Sequence, residues 1–169
     1  GAIRNLFPDT AAGRPGTLAR RGLGSVDAAR QGGGKLNDRT RDDLVRLMPI
    51  DGEDYLFYKA FPIHVALIRG TTADLDGNVT MEKEALTLEA RALAMAAHNS
   101  GGMVIAQVER IAERNTLNPR QVKIPGILVD CVVVAERPEY HAQTFAEQYS
   151  PAFSGEIRVP MSTEFGYFA

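Results

Sequence analysis

Glu84-Ala85-Leu86-Thr87-Leu88-Glu89-Ala90-Arg91-Ala92-Leu93-Ala94-Met95-Ala96-Ala97-His98, then Asn99-Ser100-Gly101-Gly102 and Met103-Val104-Ile105-Ala106-Gln107-Val108, is the stretch that decides the fold. Leu86, Ala90, Leu93 and Ala97 recur at i, i+4, i+7 and i+11, and Leu88, Ala92, Met95 and Ala96 widen the stripe. That spacing predicts a helix over 84–98, apolar enough to be covered on most sides. Asn99 and the two glycines tolerate left-handed backbone and end it. Residues 63–69 before the helix, and 103–108 and 127–135 after it, are near-continuous apolar runs. Continuous rather than alternating apolar strands around a helix argue an α/β class. The expected sheet is mostly parallel, flanked by helices and buried on both faces.

Working outward, Ile3, Leu6 and Phe7 predict a short helix before the breakers Gly13, Pro15 and Gly16. Residues 17–22 read as a short strand, and 22–40, rich in Gly, Asp, Asn and Arg, as a long glycine-rich loop. Apolar runs at 44–50 and 55–58 flank Asp51-Gly52-Glu53-Asp54, a β-hairpin pattern. Asp76-Gly77-Asn78 marks a turn, and 79–81 resumes extended structure. From Pro138 onward periodicity is lost. Tyr140, Phe145, Tyr149 and Phe153 are scattered among polar residues, as in a segment that packs on something else.

Of 169 residues, 44% are hydrophobic and 24% charged, so the chain can build a core and wholesale disorder is excluded. A net charge of −2 and no basic stripe give nucleic acid no electrostatic footing. No apolar run nears the roughly 20 residues that span a bilayer, so no membrane partner is expected. The single cysteine, Cys131, can close no internal disulfide, which fits a cytoplasmic location. Within an apolar run, it is expected to be a small core residue.

Most motifs fail on inspection. Gly32-Gly33-Gly34-Lys35 is no phosphate loop, because Ala29 and Leu36 stand where Gly and Ser or Thr belong. Asp74, Asp76 and Asn78 open like a calcium loop, but Val79 and Ala85 replace the required Gly and Glu, so a turn is the better reading. His64, expected along a strand, His98 at a helix end, and His141 are dispersed, and no metal site is expected. No serine-nucleophile elbow occurs. Two places remain. Gly70, Thr71, Thr72, Ala73 and Asp74 follow a strand, where ligands of open α/β sheets bind. Small residues there admit a ligand to backbone N–H groups, and the Thr71 and Thr72 hydroxyls can bond a carboxylate or phosphate. The other reading is a tight connecting turn with capping hydroxyls. Gln107 and Glu109, at the end of the 103–108 strand, either point into a cleft or form an ordinary polar strand end. Arg20, Arg21, Arg30 and Lys35 would let the 22–37 loop close over an anionic cofactor, or they are scattered charges on a solvated insertion.

Four stretches, in order, resemble a known family. They are Gly22-Leu23-Gly24 through Gln31-Gly32-Gly33-Gly34-Lys35-Leu36-Asn37; Ile50-Asp51-Gly52-Glu53-Asp54-Tyr55-Leu56-Phe57-Tyr58; Ala66-Leu67-Ile68-Arg69-Gly70-Thr71-Thr72-Ala73-Asp74 with Asp76-Gly77-Asn78; and Gln107-Val108-Glu109-Arg110 with Val122-Lys123-Ile124-Pro125-Gly126-Ile127-Leu128-Val129-Asp130. They resemble the single-chain family I CoA-transferases of the propionate and acetate/acetoacetate type, from about Ile3 to Pro160. Arg-Gly-Thr-Thr-Ala-Asp at 69–74 is the most telling run.

The resemblance implies the α/β CoA-transferase fold, shared with sugar-phosphate isomerases. Residues 1–160 would be part of the first of two tandem domains and 161–169 a tail unlike the family's continuation. It also implies a ping-pong transfer. A glutamate carboxylate attacks the acyl-CoA thioester and expels CoA thiolate, leaving an acyl-glutamyl anhydride. The thiolate attacks the glutamyl carbonyl and releases the acid, leaving a glutamyl-CoA thioester from which a second carboxylate takes CoA. Coenzyme A is thus a substrate, and no resident cofactor is implied. That glutamate belongs to the family's second domain, so no residue here takes the catalytic role. Glu164 is not promoted to it, and this chain alone is expected to be inactive. Gly70, Thr71, Thr72, Ala73, Asp74, Gln107 and Glu109 are the expected lining residues. Expected partners are acyl-CoA, a short-chain carboxylate, the second CoA-transferase domain, and further copies in a homo-oligomer. The alternative is a non-catalytic CoA- or partner-binding module of the same fold.

Overall fold

The helix drawn from the apolar stripe begins later than its spacing predicts. In the computed structural model, which describes residues 2–20, 35 and 37–158, helix α2 is Ala90–Asn99. Leu88 has φ of +45°, which a helix cannot accommodate, and Leu86 and Leu88 are exposed. Residues 82–84 spend their side chains on ion pairs rather than on a first helical turn. At the other end the reading holds: Gly101 is left-handed at φ +73°, and the Gly102 amide closes on the Ala97 carbonyl at 2.9 Å.

The chain folds as two compact units, Gly1–Leu67 with Glu89–Ile105, and Ile68–Leu88 with Ala106–Ala169. In the first, helix α1 (Ala2–Ala11) packs against α2, with Arg4 paired to Glu89 at 3.3 Å and Asn99 donating to the Ala11 carbonyl. Strands β1 (Gly16–Ala19), β2 (Val45–Ile50) and β3 (Glu53–Lys59) form an antiparallel sheet in the order β1-β3-β2. The β2–β3 hairpin turns at Asp51 and Gly52, both at positive φ. Leu6, Leu56, Ala94, Ala96 and Ala97 are buried here.

Strands β4 (Val65–Arg69), β7 (Met103–Val108) and β10 (Cys131–Val134) form the parallel sheet, in the order β10-β7-β4. Its register shows in the Met103 amide on the His64 carbonyl, Gly70 on Gln107, and Ala135 on Val108, each at 2.8–2.9 Å. Gly102 is required where the chain enters β7. A Cβ there would sit 2.2 Å from the Ile63 carbonyl oxygen. His64 precedes β4 rather than lying along it.

Burial on both sheet faces is not observed. Val104, Ala106 and Val108 of β7 are buried, while Met103, Val65 and Leu67 are exposed, Leu67 by 72%. The long strand expected over 127–135 is also shorter. A 3-10 turn at Gly126–Leu128 comes first, and β10 is mostly exposed. Cys131 is consequently exposed, not a core residue. Apolar composition alone does not say whether a covering layer is present, and here it misled.

The second unit carries a four-stranded sheet, β8 (Arg110–Ala112), β5 (Thr72–Asp74), β6 (Val79–Thr80) and β9 (Val122–Ile124), in that order. β5 pairs parallel with β8 and antiparallel with β6, and β6 pairs antiparallel with β9. Ala73, Val79, Val108 and Ile124 are fully buried beside it. Among the described residues no helix is long and apolar enough to cross a membrane. Arg21, Arg30, most of the glycine-rich loop, Glu164 and the 161–169 tail lie outside the described residues.

Candidate functional site

The ends of β4 and β7 lie side by side, because the Gly70 amide donates to the Gln107 carbonyl and the Glu109 amide to the Thr71 carbonyl, each at 2.9 Å. The parallel register therefore brings the two sequence-selected places together. Gly70 lets β6 pack close against this junction. A Cβ there would meet Val79 Cγ1 at 2.2 Å and the Thr80 carbonyl at 2.9 Å.

Residues 82–84 bind this junction through three consecutive side chains. Glu82 Oε1 accepts from Thr72 Oγ1 at 2.6 Å and lies 3.0 Å from an Arg110 guanidinium nitrogen, while Arg110 Nε donates to Thr72 Oγ1. Lys83 Nζ pairs with Glu109, 3.1 and 2.9 Å from its two carboxylate oxygens, and lies 5.1 Å from the centre of the Tyr149 ring. The Lys83 amide donates to Thr71 Oγ1. Glu84 accepts from Arg69 Nε at 2.9 Å and faces His141 Nε2 at 3.4 Å. Partial burial pushes the Glu82 carboxyl up, but hydrogen bonds from Thr72, Thr80 and its own amide, with the Arg110 charge, leave it below the ordinary glutamate value.

Thr71, Thr72, Ala73 and Asp74 are all buried, and both threonine hydroxyls are engaged within the chain. Asp74 stands apart from the ion pairs. Its carboxylate accepts from the Asp76 and Asn78 amides and the Asn78 side chain at 2.9–3.0 Å, closing the turn that mimics a calcium loop. Burial raises its pKa, but those hydrogen bonds and the Arg114 charge lower it further, so the net shift is downward. Asp74 also lines an open cavity of about 350 Å³ with Asp76, Ile111, Val129, Asp130 and Cys131. Gln107 and Glu109 are half-buried. The Gln107 amide donates to the Tyr140 carbonyl at 2.8 Å and meets His141 Nδ1 at 3.1 Å. Among the described residues, no three His, Cys, Asp or Glu side chains stand together as a metal cluster.

Glu82, Lys83, Glu84, His141 and Gln143 were not singled out as site residues from the sequence. Of these only Glu84 was read at all structurally, as the first residue of the predicted helix.

Residues 5–135 match the coenzyme A transferase family profile. The chain belongs to the coenzyme A transferase family. It is 52% identical over 162 residues to the caffeate CoA-transferase of Acetobacterium woodii, covering 96% of this chain and 31% of that protein. It is 43% identical over 134 residues to the acetate CoA-transferase YdiF of Escherichia coli K12, covering 79% and 25%. A crystal structure of the YdiF acyl-CoA transferase from E. coli O157:H7, as a thioester complex with CoA, superposes with a TM-score of 0.84 at 38% identity. That match covers 94% of this chain and 32% of that one. The CoA-transferase α/β fold expected from the sequence is therefore present. The chain spans about a third or less of the length of the relatives it matches.

Proposed function

We propose that this chain is part of an acyl-CoA:carboxylate CoA-transferase that moves CoA between a short-chain acyl-CoA and a carboxylic acid. The reaction would run through a glutamyl-CoA intermediate whose glutamate lies outside the chain. The 52% identity over 162 residues with a caffeate CoA-transferase carries this reading. Local chemistry supports it, since Glu82, Glu84 and Glu109 are each held by a cation and none stands free as a nucleophile. Gly70 to Asp74, Gln107 and Glu109 form the proposed lining, with Lys83 and Glu109 a charged pair partly open to solvent. The remaining length of the enzyme, in a cytoplasmic oligomer, would supply the nucleophile and complete the pocket.

Isotope exchange between labelled acetate and acetyl-CoA tests it. Background exchange is expected from this chain alone, and exchange well above background when it is co-expressed with the remaining two-thirds of a CoA-transferase relative. Exchange by the chain alone would refute the outside nucleophile. None in either case would refute the activity.

A further inference from the structure

Residues 138–150 lack regular structure beyond a 3-10 turn at Pro138–His141, yet one side chain in them is deeply buried. His141 is 5% exposed, whereas Tyr140 is 60% exposed and Phe145 fully exposed. Tyr140 and Phe145 therefore do not hold the segment down. It is braced internally: the Gln148 side chain donates to the Pro138 carbonyl, the Gln143 amide to the Gln148 carbonyl, and the Thr144 amide to the Glu147 carbonyl. Two ties join it to the strand junction. The Gln143 side chain donates to the Lys83 carbonyl at 2.6 Å and accepts from the Ser150 amide. The other tie runs through His141.

The hydrogen-bond roles at His141 are fixed by what surrounds it. Gln107 Nε2 faces the Tyr140 carbonyl, which can only accept, so that nitrogen donates; it also faces His141 Nδ1, which must then accept. The ring proton is consequently on Nε2, 3.4 Å from Glu84, whose second oxygen is held by Arg69. Tyr140 carbonyl, Gln107 and His141 are thus hydrogen-bonded in line, while buried His141 Nε2 makes no hydrogen bond and only lies near Glu84, which Arg69 holds.

We infer that residues 138–150 are a strap over the Lys83–Glu109 pair, latched at one end by the buried imidazole of His141 and tied at the other by Gln143. When closed, the strap caps the Lys83 carbonyl with Gln143 and holds the Tyr149 ring against its ammonium. When open, it exposes Lys83, Gln107 and Glu109 together and offers the ammonium to a carboxylate or phosphate. That last consequence rests on the proposed CoA-transferase function; the latch does not.

Hydrogen exchange with amine labelling tests the strap on the chain as it stands. His141→Ala should speed exchange across 140–150 about tenfold or more, from the loss of a buried hydrogen-bonded group. β5 and β6 should keep their protection. Acylation of Lys83 by an amine-reactive ester should quicken severalfold, with Lys59 and Lys123 unchanged as internal references. Unchanged exchange in the strap, unchanged Lys83 labelling, or equal loss of protection in β5 and β6 would each overturn the inference. Gln143→Ala gives an independent arm should the first variant misfold. It should free the Ser150 end while 138–141 stays protected, and uniform loosening would refute the latch. These readouts do not involve CoA, so failure of the functional reading leaves them intact.

Discussion

Gly126→Ala should destabilise the second unit more than a one-carbon change suggests. Gly126 begins the 3-10 turn after β9, and its amide donates to Asn78 Oδ1 at 2.9 Å. An added Cβ would lie 1.9 Å from the Asp76 carbonyl oxygen, 2.8 Å from the carbon behind it, and 3.0 Å from the Asn78 amide. All three obstacles are backbone, so no rotamer relieves them. The turn must withdraw by about 1.5 Å to reach ordinary contact, which breaks the 2.9 Å hydrogen bond. That loss is about 1 kcal/mol, and overpacking strain adds about 1–3 kcal/mol. The reduced freedom of the unfolded chain returns about 0.4–1 kcal/mol. The net cost is about 1–3.5 kcal/mol, or on the order of 1 M in the urea midpoint at the slope usual for small proteins. Urea unfolding followed by circular dichroism should show that shift without a change of slope. A midpoint within about 0.2 M of the parent would mean that the β9 connection yields freely and that the packing argument is wrong.

Leu56→Ala removes a fully buried side chain from the middle of β3. It should cost about 2–4 kcal/mol through lost transfer energy and a residual cavity, readable as a lower thermal midpoint with exchange loosening concentrated in the hairpin. Asp74→Asn should cost about 1–3 kcal/mol at neutral pH, because an amide cannot accept at both positions where the carboxylate now does. The Asp74 carboxyl is held below its ordinary 3.8 in the folded state. Its charge-dependent stabilisation is therefore complete above that value and is lost as pH falls through the lower folded value. The stability gap between parent and variant should thus stay level from pH 7 to about 5 and narrow below about pH 4. A gap that stays level down to acid would mean that the ionised form contributes nothing.

Local signals carried the parts of the fold that local chemistry determines. Asp51-Gly52 announced the hairpin because both residues accept positive φ, and Gly101 marked the end of α2 for the same reason. The start of α2 was not legible, since the apolar stripe continues through Leu86 and Leu88 while the backbone does not. What interrupts it is Leu88 at positive φ, preceded by long-range ion pairs from residues 82–84, and periodicity reports neither. Cys131 failed for a related reason. An apolar run shows that burial is favourable, not that a layer is present to provide it, and β10 is exposed where its composition suggested a core.

The site was legible as two places but not as one assembly. Arg69 to Asp74 and Gln107 to Arg110 stood out singly, and only the register of parallel strands places Gly70 beside Gln107 and Thr71 beside Glu109. The third component, 82–84, reaches that junction after a turn and a short strand, a path that residue spacing does not encode. Once it arrives, pairing is nearly complete, with Glu82 on Arg110, Lys83 on Glu109, and Glu84 on Arg69. Charges neutralised in this way attract little by themselves, and the Thr71 and Thr72 hydroxyls are buried. An incoming anion must therefore compete for a cation already engaged. Lys83 is the member of the set that the 138–150 segment touches directly, through Gln143 on its backbone carbonyl and the Tyr149 ring near its ammonium. For this reason a movement of residues 138–150, more than any change in the strands, would decide whether the junction meets a ligand.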